Sequence, residues 1–172
     1  MQTRESKPST ANQPATATPS IILLVEDEAV VRDITAQVLN SAGYRVLQTG
    51  SPGEALRVAG EHAGRIDLLL TDVIMPEMNG VDLAERIRRL RPDVTTVFMS
   101  GDMESDVSRK ARNGSAMHIQ KPFTVNSLLS RIAEALRASL RRGDAECAAV
   151  STPVAKGPAN SILVSSSDKV RV

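Results

Sequence analysis

Four charged residues of this 172-residue chain stand where short apolar runs stop. Glu26 and Asp27 follow Ile21-Ile22-Leu23-Leu24-Val25, Asp72 follows Leu68-Leu69-Leu70-Thr71, and Lys121 follows Ile119-Gln120. Ser100 closes a further run, Val94 to Met99. Runs this short and apolar read as strands buried on both faces. In a parallel sheet the C-terminal strand ends share one edge, where open α/β sheets place their ligands. If the first and third strands are neighbours, Glu26, Asp27 and Asp72 crowd one crevice. Crowded carboxylates raise one another's pKa unless a cation lies among them. Lys121 is one candidate cation. A hard divalent metal is the other, since Mg²⁺ prefers carboxylate, carbonyl, water and phosphate oxygens. No His or Cys lies near this edge, which disfavours zinc or copper. Taken alone, Asp72 reads as a turn or helix cap, because short motifs have many chance matches. From the strand ends alone, a cap and a charged crevice shared with Glu26, Asp27 and Lys121 both stay open.

The elements that must position these residues alternate strand and helix five times. Val31, Ile34, Val38 and Ala42 predict one face of a first helix, closed by Gly43 at the C′ position. Tyr44 to Gln48 is a second strand, less apolar and suited to an edge. Ser51-Pro52 opens a second helix as N-cap and first turn, closed by Gly60 and Gly64. The third strand is predicted over Ile66 to Thr71. A third helix starts at Asn79 or Gly80, turns Leu83, Ala84, Ile87 and Leu90 inward, and ends at Pro92. A fourth helix, about Met103 to Arg112, has a sparse apolar face. Ala116 to Gln120 is the fifth strand, and Val125, Leu128, Leu129, Ile132, Leu136 and Leu140 stripe the last helix. Short connections with this alternation argue for a parallel sheet covered by helices on both faces.

Composition narrows the function classes. Lys and Arg total 21 against 20 Asp and Glu, a net charge of +1, so there is no global basic field for nucleic acid or membrane. One cysteine, Cys147, excludes an internal disulfide framework. The aromatics are Tyr44, Phe98 and Phe123, too few for a base-stacking surface. With no apolar run of membrane length and no signal-like h-region, a cytoplasmic location is expected. Residues 1–20 and 142–172 are small and polar and are expected to be disordered tails, with Ile162-Leu163-Val164 a short strand or docking peptide in the second. Residues 21–141 form the expected domain.

Four pieces in order carry a family resemblance: Ile22-Leu23-Leu24-Val25-Glu26-Asp27-Glu28, Asp67 to Gly80 with its Thr71-Asp72-Val73-Ile74-Met75-Pro76, Phe98-Met99-Ser100-Gly101, and Gln120-Lys121-Pro122-Phe123. The chain resembles the receiver domain of two-component response regulators, in the stand-alone form. The resemblance implies an α/β, doubly wound, five-stranded parallel sheet of flavodoxin-like type, strand order 2-1-3-4-5. It implies that Asp72 accepts a phosphoryl group from a histidine kinase or histidine phosphotransfer domain. Mg²⁺ would be held by Asp27, Glu26, Asp72 and the Ile74 backbone carbonyl. Lys121 would pair with the phosphoryl group, aimed by a cis bond to Pro122. Ser100 would bond a phosphoryl oxygen. His118 stands at the switch position where Tyr or Phe is usual. Ile74 and Asp102 flank the site and would tune dephosphorylation.

The resemblance implies a phosphoacceptor that assists its own phosphorylation and dephosphorylation and is otherwise not expected to be an enzyme. An aspartyl-phosphate phosphatase of another α/β family needs a second aspartate two residues beyond the nucleophile, where this chain has Ile74. No Gly-rich run ends in Gly-Lys-Ser/Thr, which excludes a P-loop. Without a helix-turn-helix pattern or basic cluster after the last helix, direct nucleic-acid binding is not expected. The expected output is a downstream protein bound on the surface of the fourth helix, fifth strand and last helix. The alternatives are a phosphorelay shuttle or phosphate sink, and the separated receiver of a hybrid histidine kinase.

Overall fold

Five parallel strands form one sheet in the computed structural model, which describes residues 18–101, 109 and 116–149, the last eight as backbone only. They are β1 (Ile21–Val25), β2 (Arg45–Thr49), β3 (Leu68–Asp72), β4 (Thr95–Ser100) and β5 (Met117–Gln120). Their order is β2-β1-β3-β4-β5, as the resemblance implies. Val25 pairs with both Thr49 and Thr71, and Asp72 with Met99, so the strand ends are level at one edge. The helices are α1 (Ala29–Ser41), α2 (Pro52–Glu61), α3 (Gly80–Leu90) and α4 (Val125–Ala149). Asp102, most of the helix predicted over Met103 to Arg112, and residues 1–17 and 150–172 lie outside the described residues.

Alternate strand residues serve two core layers. Leu23, Val25, Leu69 and Phe98 pack with Ala55, Leu83 and Ile87 from α2 and α3. Ile22, Leu24, Leu68, Leu70, Val97 and Met99 face the other way, against Leu39, Leu128 and Ile132 of α1 and α4. Each fully buried Leu or Ile contributes about 1.5–3 kcal/mol of transfer free energy before chain entropy is subtracted. This double coverage is why β1 and β3 carry unbroken apolar runs.

Caps fix where the helices start. Ser51 Oγ accepts the Glu54 N–H at 3.3 Å, with Pro52 in the first turn. Asn79 Oδ1 accepts the Asp82 N–H at 2.9 Å. Thr124 and Ser127 cap α4 reciprocally, at 3.0 and 3.1 Å. Gly43 (φ 92°) closes α1, its N–H on Asn40 O and the Tyr44 N–H on Leu39 O, the double bond of a Schellman turn.

Several sequence expectations need correction. The buried face of α1 is Thr35, Ala36 and Leu39, while Ile34 is 57% exposed. Small residues let the helix sit close to the sheet and rotate Ile34 out. Leu90, expected inward, is exposed at the end of α3. Gly60 lies inside α2, which ends at Glu61. Along α4, Leu128, Ile132 and Ala135 are buried, but Val125 and Leu140 are exposed. The same helix runs past residue 142, where the tail was expected to begin, to Ala149.

Candidate functional site

The level strand ends bring the predicted residues together. Glu26 directly follows β1 and is nearly fully buried, and its N–H donates to Thr49 O at 3.3 Å. Asp27, next in the chain, is exposed. Asp72 is the last residue of β3 and 9% exposed. One carboxylate oxygen from each of these three residues lies within 4.8 Å of the others. Lys121 follows β5, its N–H held by Ser100 O at 2.8 Å, and the Lys121–Pro122 peptide is cis.

Lys121 Nζ donates to Glu26 Oε2 at 2.7 Å and to Asp72 Oδ2 at 2.5 Å. The second Asp72 oxygen, Oδ1, accepts the Ile74 N–H at 3.1 Å. Both oxygens of Asp72 are therefore oriented before any ligand arrives. Burial is the main force pushing the Glu26 carboxyl above its usual value; Lys121 opposes it, and Asp72 and Asp27 add to it. Burial pulls the Lys121 ammonium down, but hydrogen bonds to Asp72 and Glu26 outweigh it and leave it raised. The donor set is hard oxygen from three carboxylates, which suits a hard divalent cation.

Ser100, at the end of β4, is buried. Ile74 stands 51% exposed beside Asp72. His118 is half-buried on β5, opposite Phe98 in register, with ring centroids 5.4 Å apart and planes inclined by 33°. Ser100 lies one residue beyond Met99, the register partner of Asp72, and His118 lies two residues before the end of β5, while Asp102 lies outside the described residues.

Sequence reasoning missed two residues that build this site. A Cβ on Gly80 would sit 2.0 Å from the Asp72 backbone oxygen, so only glycine lets α3 start this close to the end of β3. The Gly80 N–H reaches Val73 O at 2.9 Å across that contact. Glycine at the head of a helix was a visible signal, read only as punctuation. Arg32 Nη1 donates to the carbonyls of Glu26 at 2.8 Å and Asp27 at 3.4 Å. Its sequence spacing suggests instead an i, i+4 surface pair with Glu28.

Comparison with known proteins bears on this geometry. The family described as "Response regulator receiver domain" matches residues 22–133. The sensor kinase CckA of Brucella abortus (strain 2308) is 36% identical over 116 residues, 67% of this chain and 12% of that protein. The DNA-binding transcriptional regulator NtrC of Azospirillum brasilense is 34% identical over 119 residues, 69% of this chain and 24% of that protein. The chain thus spans a small part of these curated relatives. Among solved structures, a CheY-like receiver domain protein from Methanospirillum hungatei JF-1 superposes with a TM-score of 0.67 at 29% identity, covering 73% of this chain and 99% of that one. The receiver domain of the hybrid histidine kinase CckA gives 0.59 at 35% identity, covering 68% and 99%. Among the described residues, no helix is long and apolar enough to cross a membrane. Strand order, the match over 22–133 and these likenesses agree: the chain belongs to the response regulator receiver domain family of two-component signalling.

Proposed function

We propose that Asp72 is the phosphoacceptor of a Mg²⁺-dependent transfer from a histidine kinase or histidine phosphotransfer domain. The observation that carries this reading is the contact of Lys121 Nζ with Asp72 Oδ2 in a crevice of three carboxylates. One Asp72 oxygen attacks the phosphorus of a phosphohistidine, the P–N bond breaks, and the imidazole leaves with its electron pair. The product is an acyl phosphate on Asp72. Transfer of this kind needs positioning and charge neutralisation more than a strong base. Lys121 is placed to follow the negative charge from the carboxylate to the phosphoryl oxygens. The Ser100 hydroxyl donates to another of those oxygens. Glu26, Asp27, Asp72 and the Ile74 carbonyl would hold the metal. When bound, Mg²⁺ supplies positive charge against the transferring phosphoryl group. Ile74 and Asp102 govern access of hydrolytic water.

Output follows from a shift between two surface states. Ser100 and His118 relay it to β5, α4 and the segment between β4 and β5, where a downstream protein binds. A second reading, the separated receiver of a hybrid kinase or a phosphorelay shuttle, is favoured by the likeness to CckA. Rapid return of the phosphoryl group to a histidine supports this second reading; partner capture that needs phosphorylation supports the first. The central test is incubation with acetyl phosphate and Mg²⁺, read by intact mass beside Asp72→Ala. The wild type is expected to gain one phosphoryl group and the variant none. Equal gain in both sinks the assignment.

A further inference from the structure

The loop that carries Glu26 and Asp27 is held by a cation that the phosphoryl chemistry does not use. Arg32 lies in the first turn of α1, its N–H fixed on Glu28 O at 2.9 Å. Its half-buried side chain folds back, and Nη1 bonds the backbone carbonyls of both acidic residues, at 2.8 and 3.4 Å. Both bonds come from one terminal nitrogen, the shorter to Glu26, so the reach of the arginine stem rather than a two-nitrogen fork sets this contact.

Gly50, the residue after β2, supplies an independent observation. A Cβ built there would lie 3.0 Å from Arg32 Nη1. The Gly50 N–H is itself anchored on Glu54 Oε2 at 3.1 Å. The guanidinium therefore sits between two loops, bonding one and resting on the bare backbone of the other. By Coulomb's law alone, a positive charge here opposes a bound cation. Any benefit must come through geometry. Asp27 is exposed, so packing does little to hold its carboxylate, and its backbone is what fixes its position.

We infer that Arg32 is a positioning residue for the divalent-cation site, fixing the backbone of Glu26 and Asp27, with Gly50 leaving room for its guanidinium. This rests on the reading of Glu26, Asp27 and Asp72 as metal ligands. Partners that orient ligands from behind the metal shell govern affinity without touching the ion.

The test is calorimetric titration of the full chain with Mg²⁺, without phosphodonor. Arg32→Ala is expected to weaken binding about 10-fold. Arg32→Lys keeps the charge but carries its donor on a shorter stem that falls short of both carbonyls, and recovers only part of the loss. Gly50→Ala touches no ligand but displaces the guanidinium, and weakens binding about twofold. Arg91→Ala removes another arginine that bonds backbone carbonyls, those of Ala59 and Gly64, away from the site. It is expected to lower the Tm and leave the Mg²⁺ Kd at the wild-type value. Unchanged or tighter binding by Arg32→Ala overturns the inference, as does an equal loss in Arg91→Ala. If circular dichroism shows Arg32→Ala unfolded, an unchanged Kd in Gly50→Ala overturns it instead. A wild type that binds no Mg²⁺ overturns the metal reading itself and this inference with it, a result distinct from a variant that binds as the wild type does.

Discussion

At Lys121 one ammonium answers two carboxylates, 2.7 Å from Glu26 and 2.5 Å from Asp72. Removing it in Lys121→Met leaves two largely buried carboxylates facing each other. Stability at neutral pH is expected to fall by about 1–3 kcal/mol, the cost of buried groups without a partner. On the proposed metal reading, Mg²⁺ should restore part of it by binding the native state. Urea unfolding with and without Mg²⁺ checks both statements. The titration of Glu26 gives a second expectation. Its folded pKa is raised above 4.5, mainly by burial, so folding favours its protonated form. Its contribution to stability therefore declines as pH climbs from 4.5 through the raised value. With Glu26 as a proposed ligand, metal affinity should move the opposite way over the same window, because Mg²⁺ needs the ionised carboxylate. Titrations across that range should show Mg²⁺ binding strengthen with pH, and Glu26→Gln should flatten the trend. Lys121, raised above 10.5, acts at the other end: its contribution is complete below 10.5 and is lost as pH rises through its folded value.

At the scale of elements, two glycines behave oppositely. Gly60 lies inside α2 with nothing within 4 Å of an added Cβ, so Gly60→Ala should stabilise by about 0.5–1 kcal/mol. Gly80 heads α3 against the Asp72 carbonyl, so Gly80→Ala must push α3 away from β3. It should destabilise by about 1–3 kcal/mol, the usual range for overpacking, and slow phosphorylation by acetyl phosphate. Thermal and urea unfolding of the pair give the signs directly. The elements differ in how legible they are. β1 and β3 are buried on both faces, and their continuous Ile, Leu and Val runs announce them. α1 is only partly misphased: Val38 packs on the core as expected, but Ile34 turns out while Thr35, Ala36 and Leu39 take the inside. Periodicity weighs hydrophobicity, whereas close approach to a sheet rewards small size. Arg32 was hidden for a different reason, since its partners are backbone carbonyls and no sequence pattern marks those.

For the whole molecule, the sheet order was not in the periodicity either. Alternating elements imply parallel strands, but which strand lies beside which came from the family motifs and is seen in the order β2-β1-β3-β4-β5. The site depends on that order, because Glu26 and Asp72 meet only if β1 and β3 are neighbours. Away from the site, Arg91 ties the end of α3 to the last turn of α2 and the segment after it, donating to Ala59 O at 2.8 Å, Gly64 O at 2.7 Å and also to His62 O. Loss of these bonds in Arg91→Ala should lower stability by about 1–3 kcal/mol in urea unfolding. The ring contact between His118 and Phe98 has a practical consequence. The chain has no Trp, one Tyr and two His, so fluorescence has little to report. The Phe98 π-electrons, however, shift the proton resonances of an imidazole held 5.4 Å away. A chain with two histidines needs only one substitution, His62→Gln, to assign them. His118 is thereby a native magnetic-resonance probe, needing no label, of whatever β5 does when Asp72 is modified.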